Sequence, residues 1–367
     1  MVNLWGKYAK VLVDYSVDVQ KGDLTLIRTT SPLAKPLIQE IYKQVLQKGG
    51  FPVVRCALDG INELFIKYAN DEQLDYIDPM SEVEYDKVKK MISIGAPENV
   101  KSMARANSDK MARRSKATRG LSEKLLNRSA NGDLKWVIAD FPTNALAQEA
   151  KMSLDEYTDF IINSCYLDLD NPVKKWQEIG AYQEKIAQYL NNTSKLRIVG
   201  EKTDITFSTA GRKWISCAGL NNFPDGEIFT SPVEDSANGE IYFDFPAIYR
   251  GNESHKIHLW LENGKVVKSE VEKGAEFFES MLNMDEGSRF VGEIAIGTNE
   301  RVKDVTGNIL FDEKIGGSIH MALGASYPET GGKNVSGLHW DIIKNMKNGG
   351  QIFADDVLIY QDGKFLI

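Results

Sequence analysis

LTLIRTTSPLAKPLIQEIYKQVLQKGGFPVVRCAL, residues 24–58, carries a strand, a helix and a second strand in succession. LTLIRT (24–29) is a short β-type run behind a Lys-Gly-Asp turn. Leu33, Leu37, Ile38, Ile41, Tyr42, Val45 and Leu46 then fall on one helical face, and Gly49–Gly50 supply a stop. FPVVRCAL (51–58) returns to strand character. This is a βαβ unit of about 30 residues, which implies parallel strands joined by a right-handed crossover. Working outward, further strand runs occur at MISIGAP (91–97) and KWVIADFP (135–142), with helical stretches between them. Ser153 and Glu156 form a capping box ahead of one helix, and Asn171-Pro172 opens the amphipathic run that follows. The expected architecture of this half is an open, mostly parallel α/β sheet flanked by helices.

The texture changes at Asn191–Ser194. After it come LRIVG, DITFSTA, KWISCAG, EIFTSP, EIYFDF, KIHLWLENGKVVKSEVE, FVGEIAIGT and DDVLIYQDGKFLI, short β-type runs with hairpin signals at Asn263-Gly264 and Asp362-Gly363. The second half is therefore expected to be β-rich and mainly antiparallel. The expected division is an N-terminal α/β domain over 1–195 and a second domain over 196–367.

The bulk properties narrow the function classes. The 367 residues are 42% hydrophobic and 26% charged, and 44 Lys and Arg against 52 Asp and Glu give a formal charge of −8. Nothing here is an electrostatic footprint for nucleic acid. The basic stretch at 101–124 lacks aromatic residues for stacking on bases and reads as a solvated helical face. Cys56, Cys165 and Cys217 are widely spaced and odd in number, which favours a reducing compartment. The N-terminal segment does not read as a signal peptide, and no run approaches the ~20 apolar residues of a membrane span. A cytoplasmic protein without membrane association is expected.

The metal-capable residues stand out. Of four histidines, His320 and His339 lie in DEKIGGSIHMALGASYPETGGKNVSGLHWDII. His339 and Asp341 are two apart, so on extended backbone they point the same way. Glu227, behind the turn Pro224-Asp225-Gly226, and Glu293 in GEIAIG both interrupt apolar strand runs. Glu293 shares its strand face with Ala295 and Gly297, which leave space beside the carboxylate. Ionised carboxylates in a core cost several kcal/mol, on the order of the buried-ion penalty, unless they are paired or bind a metal. Imidazole and carboxylate donors suit zinc, cobalt or manganese, and a shared carboxylate can bridge two ions. Residue types alone leave a second reading open: buried salt bridges around one core histidine. His255 and His258 lie three apart on a strand, hence on opposite faces, and read as structural. No P-loop and no G-x-S-x-G elbow is present.

Five ordered blocks, TDITFSTAGRKWIS, PDGEIFTSP, GEIAIGTN, LFDEKIGGSIHMALGASYPETGG and LHWDII, carry a resemblance. The chain resembles the aminopeptidase T / aminopeptidase S family of metallo-aminopeptidases, also called the thermophilic metalloprotease family. The likeness spans nearly the whole chain, weakest over 60–130 and strongest from Trp176 onward. It implies a second domain holding two divalent ions (zinc, cobalt or manganese) on Glu227, Glu293, His320, His339 and Asp341. It also implies Glu293 as the bridging ligand, Tyr327 as an active-site donor and Glu313 as a further ligand or general base. The implied activity is release of N-terminal residues from short peptides with a free amine, by a homodimer. The alternatives are another metal-dependent amide hydrolase, or a non-catalytic binding or scaffold relative. The loop between the GEIAIGTN and DEK blocks is shorter here than the family pattern, which bears on the substrate pocket.

Overall fold

Leu24–Thr29 (β1) and Phe51–Cys56 (β2) pair in parallel, Leu24 beside Phe51 and Thr29 beside Cys56. The structure, a computed structural model, describes residues 4–367. The helix Lys35–Gln47 makes the crossover and buries Leu37, Ile38, Ile41 and Val45. The expected apolar face was wider: Leu33, Tyr42 and Leu46 are 46%, 40% and 52% exposed. A helix lying on a sheet buries only the stripe directly against it; Tyr42 and Leu46 flank that stripe, and Leu33 precedes the helix in the 3-10 turn Pro32–Ala34.

Lys90–Gly95 (β3) adds in parallel to the other side of β1, and Lys135–Asp140 (β4) adds beyond it. Asn222–Phe223 extends the sheet beside β4, giving the order β2-β1-β3-β4 and then this short edge. The basic stretch lies on the helix Ser108–Ala130, none of whose residues is buried. Its Arg113 pairs with Asp71 and Asp75, Arg119 with Glu123, and Lys124 with Asp86. It is a solvated face, as its composition implied. The capping box at Ser153 and Glu156 is formed. These elements belong to one compact unit, residues 1–175 with 219–224; the other comprises 176–218 with 225–367.

The second unit is antiparallel. A nine-stranded sheet runs Ala247–Tyr249, Asn252–Glu262, Asn238–Phe243, Thr203–Ser208, Lys195–Gly200, Gln351–Ala354, Val357–Gln361 and Lys364–Phe365, with Lys265–Lys273 also paired to Asn252–Glu262. Asn263 and Gly264, at φ 48° and 79°, make the hairpin turn that an Asn-Gly pair favours. A second sheet contains Ile215–Cys217 (β5), Glu227–Thr230 (β6), Val291–Gly297 (β7), Ser318–Gly324 (β8) and His339–Asn345 (β9), in the order β9-β8-β7-β6-β5. One face of this sheet carries Ile228, Ile294, Ile296, Ile319, Met321, Leu323, Trp340 and Ile342. They share a continuous core with Ile198, Ile205, Ile241 and Leu259 of the larger sheet. Each such side chain contributes about 1.5–3 kcal/mol when fully buried, so this face fixes the register of all five strands. The fold is thus a mostly parallel α/β region followed by a β-rich, antiparallel one. Among the described residues no helix is long and apolar enough to cross a membrane.

Candidate metal centre

Because strand side chains alternate, burying the isoleucines on one face of the second sheet turns the intervening residues to the other. Those residues are the ones singled out above. Glu227 stands opposite Gly297, Glu293 opposite Ala322, His320 opposite Ala295, His339 opposite Gly324 and Asp341 opposite Ala322. Directly opposed residues share a face, so all five side chains emerge together. Each has a glycine or alanine as one cross-strand neighbour, which leaves room between them; Glu227 also faces Cys217, and His320 also faces Ile343. Gly226 leads into β6 at φ 130°, and a Cβ there would lie 2.7 Å from the Asn299 Cβ. Glycine is what lets the chain turn Glu227 into the cluster.

The donor atoms converge in two groups. In the first, His320 Nε2 lies 3.3 Å from Glu227 Oε2 and 3.7 Å from Glu293 Oε1. In the second, His339 Nε2 lies 3.3 Å from Glu293 Oε2 and 3.7 Å from Asp341 Oδ1. Glu293 gives one oxygen to each. Both imidazoles are held from behind: His320 Nδ1 donates to the Glu313 carbonyl at 3.1 Å and His339 Nδ1 to the Ala325 carbonyl at 2.8 Å. A carbonyl can only accept, so Nδ1 carries the hydrogen and Nε2 is left to face the carboxylates, the arrangement of metal-ligating histidines. Glu227 Oε2 and Asp341 Oδ1 are buried without a hydrogen-bond partner, one in each group. Buried orphan acceptors are costly, and a cation in each group satisfies both. The residues present therefore fit divalent ions.

The electrostatics are those of a negative pocket. Burial raises the carboxyls of Glu227 and Asp341 above their ordinary values. It opposes ionisation of Glu293 too, but the contacts with His320 and His339 outweigh it and hold that carboxyl low. Burial alone would depress the imidazoles. Contacts with Glu293, Glu227 and Asp341 instead raise His320 to about 9, and Asp341 and Glu293 raise His339 to about 10. With folded values above the ordinary 6.5, these protons stabilise the metal-free fold fully below that pH. Their contribution is lost as pH climbs through 9 and 10. Metal binding has the opposite sign, since ligating nitrogens must be unprotonated. At pH 7.5, uptake by the metal-free protein is expected to release at least the two imidazolium protons, and affinity should rise with pH. Calorimetry in buffers of different ionisation enthalpy measures this; uptake without proton release would contradict it.

Three residues of the pocket carried no signal in isolation. Lys314 is fully buried, its Nζ 2.5 Å from Glu227 Oε1, 2.6 Å from Glu313 Oε1 and 3.5 Å from Asp225 Oδ1. Asp225 is 1% exposed. Cys217, opposite Glu227, has its thiol pushed up by burial and by Asp225 and Glu227. A fully buried lysine is informative only once its partners are known. Tyr327 packs edge-on against both Phe229 and His339, with ring centroids 5.3 and 5.0 Å away. A Glu313 carboxylate oxygen lies within 4.8 Å of donor atoms of His320 and Asp341. His255 and His258 stand apart from the cluster, paired with Glu253 at 3.1 Å and Glu240 at 2.9 Å.

Imidazole and carboxylate donors gathered on one sheet face, with orphaned oxygens among them, make a site of the class that could hold metal ions. The description "thermophilic metalloprotease (M29)" belongs to a family model that matches residues 3–365, and the chain belongs to that family. It is 26% identical over 362 residues to Aminopeptidase 2 of Geobacillus stearothermophilus, covering 88% of this chain and 83% of the relative. It is likewise 26% identical over 411 residues to Aminopeptidase PepS of Streptococcus thermophilus, covering 98% and 97%. Among solved structures, wild-type AmpT from Thermus thermophilus superposes with a TM-score of 0.86 at 19% identity, over 99% of each chain. The 2,5-dihydroxypyridine dioxygenase of Pseudomonas putida gives 0.58 at 14% identity, over 100% of this chain and 98% of its own. These two likenesses concern the fold alone, and the reaction has to be argued from the site.

Proposed function

We propose that this chain is a metal-dependent aminopeptidase that removes N-terminal residues from short peptides. The observation that carries the reading is the pair of three-donor groups sharing Glu293, each with one orphaned buried oxygen. In it, Glu227, Glu293 and His320 would hold one divalent ion, and Glu293, His339 and Asp341 would hold a second. Zinc, cobalt and manganese are the metals such donors suit. When bound, the ions would supply Lewis acidity for activating water and polarising a carbonyl oxygen.

The chain's own groups do the rest. Asp225, Glu227 and Glu313 contact Lys314, and with Glu293 and Asp341 they form an acidic lining that suits the α-ammonium of a peptide N-terminus. Glu313 accepts the proton that attacking water gives up. Tyr327 is 37% exposed and accessible to a substrate, while enclosure and the surrounding carboxylates raise its pKa, so its hydroxyl keeps its proton. It donates to the carbonyl oxygen as that atom gains charge. Tyr327→Phe is expected to lower kcat roughly 10²- to 10³-fold with the metal content unchanged. A variant with full kcat removes the tyrosine from the mechanism.

The reading extends to residues 1–195 as an N-terminal domain, to 196–367 as the catalytic domain, and to a homodimer in the cytoplasm. The three free cysteines suit a reducing compartment, and sedimentation of the purified protein tests the dimer. The deciding experiment pairs elemental analysis with hydrolysis of matched peptides carrying free or acetylated N-termini. About two ions per chain and cleavage of the free-amine peptides alone are expected. Equal cleavage of the blocked peptides would make the protein a different amide hydrolase, and a metal-free, inactive protein would make it a binding relative.

A further inference from the structure

The mechanism leaves Lys314 without a task, although it is fully buried against two residues of the centre. We propose that Lys314 is a positioning residue that sets which metals the centre accepts. The inference rests on the metal-centre reading above and deepens it. An ammonium has three donors and no acceptor. Here they meet Glu227 Oε1 at 2.5 Å, Glu313 Oε1 at 2.6 Å and, more loosely, Asp225 Oδ1 at 3.5 Å.

Two consequences follow from this geometry. Glu227 is fixed by its outer oxygen, and the orphaned Oε2 is thereby aimed at His320 Nε2, 3.3 Å away. Glu227 also becomes a one-oxygen ligand, because Oε1 is already engaged. The nearest donors around His320 are thus single oxygens, Glu227 Oε2 and Glu293 Oε1, with Asp341 Oδ1 next at 3.9 Å from the imidazole nitrogen. Few donors with a nitrogen among them suit zinc and its neighbours. Calcium wants about six to eight oxygens, including carboxylates that bind through both atoms. Without the ammonium, Glu227 Oε1, Glu313 Oε1 and Asp225 Oδ1 would face a common space, with Glu227 Oε2 on the same carboxylate. That is an oxygen-rich cluster of the kind a hard cation takes. Lys314 fills the space with a fixed positive charge and denies those oxygens to such ions.

The backbone supports the assignment. Lys314 follows Glu313 directly, and the Glu313 carbonyl is the acceptor that orients His320. The Lys314 carbonyl in turn accepts from Asn299 N at 3.0 Å, and Asn299 Nδ2 donates to the Asp225 carbonyl at 3.0 Å. The short segment 313–314 therefore sets an imidazole, a carboxylate and the ammonium together. Its position comes from the Asp225 turn and not from solvent-exposed chain.

The test compares Zn2+ and Ca2+ dissociation constants by calorimetry for the metal-stripped full-length protein, K314M and D225N/K314M. The double variant removes one charge of each sign, so it keeps the net charge of the pocket and guards against misfolding of the single one. K314M is expected to bind Zn2+ roughly 10- to 100-fold more weakly, the usual cost of losing a group that orients ligands. It should bind Ca2+ at least tenfold more tightly, as freed oxygens become available. In D225N/K314M the Zn2+ loss should persist and the Ca2+ gain should shrink, because Asp225 no longer contributes a charged oxygen. A parallel fall in both affinities, or no change in the Zn2+ to Ca2+ preference, overturns the role given to Lys314 even if wild type holds its ions. Wild type that binds no divalent ion overturns the metal-centre reading itself, and the inference with it.

Discussion

Glu293→Gln is expected to strip the protein of both ions and lower kcat/KM by at least ~10³-fold, a loss of about 4 kcal/mol in transition-state stabilisation. The reason is its position at the middle of β7. Its Oε1 belongs with His320 and its Oε2 with His339, at 3.7 and 3.3 Å. Glutamine has nearly the same shape but keeps one carbonyl oxygen, and its NH2 presents hydrogens where a cation should sit. It also removes the negative charge shared by both groups. Glu227→Gln makes a contrast, since Glu227 contacts only His320 of the two histidines. That variant should lose one ion and retain the other. Metal analysis of the two proteins side by side is the check, and two ions retained in Glu293→Gln would refute the bridging role.

Removing the ions from the wild-type protein is expected to have the largest effect on stability. Three carboxylates and two imidazoles are packed within a few ångströms, and Glu227 Oε2 and Asp341 Oδ1 have no hydrogen-bond partner among the described residues. Ions bound at 1,000 times their dissociation constant stabilise by about 4 kcal/mol each, so two give about 8 kcal/mol. For a unit of this size each kcal/mol moves Tm by about 2–4 °C, so chelation should lower Tm on the order of 20 °C. Scanning calorimetry with chelator and with metal restored measures it. The metal-free protein should also lose stability as pH rises from 6.5 towards 9, since its raised histidines then give up stabilising protons. A Tm indifferent to chelator would mean that the pocket is balanced by its own charges.

Much of this was legible in the chain, for reasons that differ by residue. The crossover at 24–58 could be read because local periodicity and a glycine stop agree with the tertiary result. Glu293 could be read because a carboxylate between Ile294 and Val291 contradicts its own apolar strand. His339 and Asp341 could be paired because a strand has a period of two. Leu33, Tyr42 and Leu46 were placed on the buried face since periodicity gives an angle around a helix but not the width of what it packs against. Lys314 gives no signal in the sequence because a lysine beside a glutamate is ordinary on a surface; only burial makes it unusual.

By itself, the sequence determined the order of elements, the change from parallel to antiparallel texture, and which side chains on each strand share a face. Those properties follow from short-range rules: the two-residue strand repeat, the helical repeat, and turn residues that tolerate positive φ. The tertiary structure alone decided which strands lie side by side, and so brought Glu227, Glu293, His320, His339 and Asp341 from four strands onto one face of one sheet. It also decided that Glu293 divides its two oxygens and that an ammonium stands behind Glu227. Sheet order and register are set by the burial of a whole apolar face, and no local stretch of chain contains that information.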